Sequence, residues 1–165
     1  ALPILFIGSF DVSNAMSNPL KATKFGLPFR HVPTYLAGYY KYKAGDQFTE
    51  GGKPVNGKRD ICDIYAIMYE TSESVPTLDG TNAFTSPNLI STARINNAKE
   101  TNEWTYFKLP FTTLPGKFID KEKLMDGKYN IAIVFTSSLE GDHFNGAIGS
   151  TLLIDEAELI YHSED

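Results

Sequence analysis

The stretch Lys128-Tyr129-Asn130-Ile131-Ala132-Ile133-Val134-Phe135-Thr136-Ser137 decides the fold class. Tyr129, Ile131, Ile133 and Phe135 fall on one face at the two-residue period of a β-strand. Around the centre the opposite set, Ala132 and Val134, is apolar as well. A strand apolar on both faces belongs in the interior of a layered β structure rather than on a half-wetted sheet.

Working outward, six further stretches read as strands: residues 5–10, 35–43, 62–70, 89–95, 103–111 and 151–161. In the second of these, Leu36, Tyr40 and Tyr42 share one face, and Tyr35, Tyr39 and Lys41 the other. In 62–70, Ile64, Ala66 and Met68 oppose Tyr65, Ile67 and Tyr69. In 103–111, Phe107, Leu109 and Phe111 form the apolar face, opposite Trp104, Tyr106 and Lys108. Breakers separate these runs: Gly45-Asp46, Gly51-Gly52, Asn56-Gly57, Asp79-Gly80, Pro115-Gly116 and Gly141-Asp142. They supply the turn conformations that short connections require. Only residues 120–125 read as helical, and for a turn or so at most. Seven short strands without a substantial helix predict an all-β sandwich of two antiparallel sheets. No repeat or linker divides the chain, so residues 1–165 read as a single domain.

Composition agrees and excludes several classes. The 165 residues include eleven Phe, nine Tyr and one Trp, with 13 Gly and nine Pro, a balance of aromatic strand formers and breakers. A chain of this length buries enough surface to need no staple. Cys62 is the only cysteine, so no intramolecular disulfide forms. The net charge of −5 argues against nucleic acid as a partner. No apolar run is long enough for membrane insertion. After Lys128 there is no Lys or Arg, yet there are seven acids.

Three stretches carry a resemblance to a known family. They are Gly26-Leu27-Pro28-Phe29 with Pro33-Thr34-Tyr35-Leu36-Ala37-Gly38-Tyr39-Tyr40-Lys41-Tyr42-Lys43; Phe135-Thr136-Ser137-Ser138 with Gly141-Asp142; and Gly146-Ala147-Ile148-Gly149-Ser150-Thr151-Leu152-Leu153-Ile154-Asp155-Glu156. Together they resemble the carbohydrate-metabolism domain at the C-terminal end of surface and secreted proteins of Bacteroidetes. The resemblance implies a jelly-roll sandwich similar to carbohydrate-binding modules. It also implies an upstream Ig-like domain and an exported parent, at the cell surface or in the periplasm, with a lipoprotein as the candidate form. In the family a Trp-containing segment precedes the stretch that starts here near Leu5, so the chain is expected to begin inside its domain, without the first strand or strands.

The candidate site residues follow from which side chains face outward. Tyr39 shares a face with Lys41, which points toward water; sugar rings stack their C–H faces on such aromatic rings. Trp104 and Tyr106 lie opposite the apolar Phe107 face and are candidates for the same work. The alternative for all three is ordinary core or cross-strand packing. In the loop at 140–146, Asp142, His143 and Asn145 offer donors and acceptors suited to sugar hydroxyls; the alternative is a plain hairpin turn. Carbohydrate-binding jelly rolls often hold a structural Ca²⁺, for which Asp155 and Asp11 are the candidate ligands; the alternative is a charged edge strand. No cofactor is required. His31 and His162 lack zinc-ligand spacing. No nucleophile elbow, phosphate loop or His-Glu-x-x-His motif occurs, and Cys62 reads as a small core residue. The expected function is carbohydrate binding by a non-catalytic envelope module. The alternatives are a glycoside hydrolase, with a carboxylate pair drawn from Asp60, Asp63, Glu140 and Asp142, or a structural or adhesive surface module.

Overall fold

A computed structural model describes residues 4–162. The outermost residues of the domain expected over 1–165 lie outside the described residues. The N-terminal part contains β1 (Ile4–Phe6), β2 (Gly8–Phe10), α1 (Val12–Ala15), α2 (Pro19–Ala22), β3 (Thr23–Phe25) and β4 (Leu27–Pro28). The middle contains β5 (Val32–Lys43), β6 (Phe48–Glu50), β7 (Lys53–Pro54), β8 (Asp63–Glu70), β9 (Leu89–Arg94), β10 (Thr101–Pro110) and β11 (Thr112–Thr113). The remainder is α3 (Lys121–Met125), β12 (Tyr129–Thr136), β13 (Gly146–Ala147) and β14 (Thr151–His162).

Two antiparallel sheets form the sandwich. The larger has six strands in the order β1-β12-β8-β9-β11, with β4 also paired to β12; the smaller is β10-β5-β14. The expected fold class, an all-β sandwich of antiparallel sheets, is the fold found. Between the sheets, Leu36, Tyr40 and Tyr42 of β5 and Phe107 of β10 pack on Ile64, Ala66, Ala93 and Phe135 of the larger sheet. A second cluster covers the other face of that sheet: Tyr65, Ile67, Tyr69, Ala132 and Val134 meet Phe25, Leu78 and Leu89. β8 and β12 are therefore buried on both sides, which is why both read as nearly continuous apolar runs.

All seven strands read from the sequence are present, with one change. The expected strand at 5–10 is split into β1 and β2, because the chain leaves its pairing with β12 and continues in a hairpin with β3. The 120–125 helix is present as α3, capped by Asp120, whose carboxylate accepts from Lys123 N. Gly38 on β5 has a packing cause: a Cβ there would stand 2.9 Å from Phe107 Cζ. The glycine leaves room for the ring to approach the strand. On β14, Glu156 and Ala157 stand against the single Gly38 between the pairs Asp155↔Tyr39 and Glu158↔Ala37, and this one extra residue forms a bulge, with Glu156 at φ 49°.

Candidate functional site

The outer face of the small sheet is built by alternation. Since Leu36, Tyr40 and Tyr42 point to the core, Tyr35, Tyr39 and Lys41 must point away from it. The register sets Tyr39 between Tyr106 on β10 and Asp155 on β14. The Tyr39 and Tyr106 rings lie 5.2 Å apart, tilted by 53°. Lys41 Nζ sits 5.0 Å from the Trp104 ring centroid, and Lys108 Nζ 4.4 Å from that of Tyr35. These cation–π contacts hold the rings in place. They do not cover them: Tyr35 is 37% exposed, Tyr39 36%, Trp104 44% and Tyr106 54%. Leu153, opposite Lys41, adds a further exposed apolar side chain. Tyr39, Trp104 and Tyr106 thus come together on one open face. The band offers ring surfaces for stacking, and it offers phenol, ammonium and carboxylate groups for directed hydrogen bonds.

The other three candidates lie elsewhere. Gly141–His143 form one 3₁₀ turn after β12. Asp142 Oδ1 accepts from the next backbone N–H, and Asp142 Oδ2 lies 3.6 Å from His143 Nε2. Asn145 is engaged within the loop: its Nδ2 donates to Glu140 and its Oδ1 accepts from Gly51 N. Asp142 lines a cavity on the outer side of the larger sheet, across the sandwich from the aromatic band.

The candidate carboxylates have separate partners. Asp60 is buried and accepts four hydrogen bonds, from Ile61 N, Ser138 Oγ, Ala147 N and Ser150 Oγ. Glu140 pairs with Lys58 at 2.9 Å, and that hydrogen bond holds its carboxyl below the usual range. Asp63 accepts from Arg94 through both oxygens, at 2.7 and 3.2 Å. It lines the same cavity as Asp142. Asp11 caps α1, its two oxygens accepting from Ser13 and Asn14. Asp155 lies in the β14 bulge and accepts from Glu156 N. Among the described residues, no group of three or more His, Cys, Asp or Glu side chains could hold a metal ion. Cys62 is buried, and burial pushes its thiol up to about 12.

Tyr35 and Lys108 join the band although sequence reasoning did not select them. The alternation that places Tyr39 and Tyr106 outward also supplies these two. Arg94, Tyr65 and Phe84 around the cavity had no linear signal. Arg94 and Asp63 are 31 residues apart and meet only through the β8–β9 pairing.

The structure is thus an all-β sandwich with an open aromatic band on its smaller sheet. The chain belongs to the family described as "Putative carbohydrate metabolism domain", whose profile matches residues 3–160. This agrees with the resemblance carried by its three sequence stretches. A crystal structure of a putative glycoside hydrolase from Bacteroides thetaiotaomicron is 88% identical, with a TM-score of 0.98; the match covers 99% of this chain and 48% of that one. A second putative glycoside hydrolase, from Bacteroides vulgatus, is 48% identical with a TM-score of 0.92, covering 98% of this chain and 65% of that one. The chain thus spans less than two thirds of either relative. No curated protein matches it.

Proposed function

We propose that this domain binds a glycan, without cleaving it, along the outer face of the β10-β5-β14 sheet. The observation that carries the reading is the ring pair Tyr39–Tyr106, flanked by Trp104 with Lys41 and Tyr35 with Lys108, all on one solvent-facing surface. A sugar polymer presents alternating apolar C–H faces and hydroxyls, which such a band matches in both respects. The family's description as a carbohydrate-metabolism domain supports the ligand class. The reading extends to an accessory module of an exported envelope protein, with an upstream Ig-like domain.

Hydrolysis is the weaker reading. Here Asp60, Asp63 and Glu140 each have protein partners that occupy their oxygens. The carboxylates beside the aromatic band are Asp155 and Glu158, paired in register with Tyr39 and Ala37.

The test is calorimetry against a panel of plant and host polysaccharides, followed by Tyr39→Ala, Trp104→Ala and Tyr106→Ala. Each truncation removes a stacking ring and is expected to cost about 1–2 kcal/mol, roughly a five- to thirtyfold loss of affinity. The absence of binding to any glycan would defeat the proposal. So would binding that the triple variant leaves unchanged.

A further inference from the structure

The cavity on the far side of the sandwich has no part in the reading above. Its volume is about 530 Å³, within the range of roughly 300–1,000 Å³ usual for small-molecule sites. Its floor is the outer face of the larger sheet, where Asp63, Tyr65 and Arg94 adjoin through the pairs Tyr65↔Val134, Asp63↔Thr136 and Tyr65↔Arg94. Phe84 comes from the loop before β9 and meets Tyr65 edge-on at 4.7 Å. Arg94 lies over the Phe84 ring at 4.2 Å, so its guanidinium is clamped between an aromatic face and the Asp63 carboxylate. That clamp uses Nε and Nη2. Among the described residues nothing accepts from Arg94 Nη1, and 41% of the side chain remains accessible. One oriented donor is thus held in a mainly apolar chamber. Phe10 and Phe144 also line it and are 54% and 58% exposed.

The charges narrow the ligand. Arg94 and Asp63 offset one another, which leaves Asp142 as the charge in excess on the cavity wall. An anion approaching Arg94 meets that like charge. A neutral ligand does not, and the apolar walls favour one that carries a methyl group beside its hydroxyls.

We propose that this cavity is a second binding site, which takes a neutral sugar unit bearing a methyl group, such as that of a 6-deoxy sugar or of an N-acetyl substituent. Arg94 donates to a ring or hydroxyl oxygen, and the Tyr65, Phe84 and Phe10 walls cover the methyl. The choice of a sugar rests on the carbohydrate reading; the site itself is independent of the aromatic band.

The test is an NMR titration of the whole chain with N-acetylglucosamine, L-fucose and galacturonate. At least one neutral sugar should shift the amides of Tyr65, Phe84 and Arg94, and galacturonate should bind about tenfold more weakly. Asp142→Asn should narrow that gap. Ala83→Phe, which fills the chamber, should weaken the neutral sugar by about tenfold or more. Thr81→Trp, at an exposed position of the lining, should do the same if the core variant fails to fold. Tyr39→Ala should leave these shifts intact. The proposal is overturned if no neutral sugar moves those amides, if galacturonate binds equally well, or if Tyr39→Ala abolishes every sugar response. Cavity shifts that persist when no polysaccharide engages the band would sink the band alone.

Discussion

Asp60 is where a catalytic and an architectural reading make opposite predictions. It lies just before β8, is 5% exposed, and ties three chain segments together. Its Oδ2 accepts from Ser138 Oγ at 2.6 Å, Ser150 Oγ at 2.6 Å and Ala147 N at 2.9 Å; Oδ1 accepts from Ile61 N at 2.9 Å. Hydrogen bonds to a charged group contribute about 1.5–3 kcal/mol each. In Asp60→Asn the best orientation leaves the amide oxygen toward the two serines and Ala147, and turns the amide nitrogen toward Ile61 N. Three bonds then weaken to neutral strength, roughly 1 kcal/mol apiece, and one becomes a donor facing a donor. Easier burial of a neutral side chain offsets part of this. The net loss is about 2 kcal/mol. Asp60→Ala also strands Ala147 N–H and should cost about 4 kcal/mol, in the range reserved for broken buried networks. With a urea slope of about 2 kcal/mol/M, the midpoints fall by about 1 M and 2 M. Urea denaturation followed by tryptophan fluorescence reads this directly. A Asp60→Asn midpoint within about 0.2 M of the parent would refute the architectural account, given the precision of such curves. A catalytic carboxylate would show that opposite pattern, with stability kept and turnover lost.

Two further outcomes follow from titrating groups. Arg59 grips Glu100 through two hydrogen bonds, and Ala44 N adds a third, which together hold the Glu100 carboxyl down at about 2. The folded value is depressed, so this contribution is full above the ordinary value near 4.5 and is lost as pH falls toward 2. Glu100→Gln should flatten the acid limb of the stability profile in that window, and high salt should mimic it in part; identical acid limbs would rule the contact out as a contributor. Cys62, raised to about 12 chiefly by burial, should resist a thiol reagent at pH 8 in the native protein and react fully in denaturant. Rapid native labelling would show that β8 opens locally.

Strand positions were legible where alternation and burial agree. Leu36, Tyr40 and Tyr42 read as one face because the pleat forces them there, and the same pleat assigns Tyr39 and Lys41 to the other. β12 read as a central strand because it has a cluster on each side. What escaped has no period to detect. α1 and α2 are four residues each, too short for a helical face, although Asp11 before Val12 and Pro19 after Asn18 are recognisable start signals. The cavity was illegible for a different reason. Its polar floor comes from β8, β9 and β12, and its walls from the segment through β3, from residues before β9 and from the loop after β12. Only the sheet pairing brings these together. The loop at 140–146 was legible as a turn, but its sequence could not show that Asn145 is used up by Glu140 and Gly51.

The proposed glycan binding and adhesion to a protein ask different things of the aromatic band. An unroofed sheet face needs only polar side chains to stay soluble, and Thr or Lys would serve at every outward position. Four partly exposed rings add nothing to the core, and the proposed glycan gives them a use. The rings do not merge into one apolar patch. Lys41 stands against Trp104, Lys108 against Tyr35, and Asp155 beside Tyr39. A protein interface concentrates apolar groups at its centre and pushes charge to the rim. Here charge is interleaved with rings at the spacing of neighbouring strands. On the proposed reading, that pattern matches a glycan chain, whose own surface alternates apolar faces with hydroxyls.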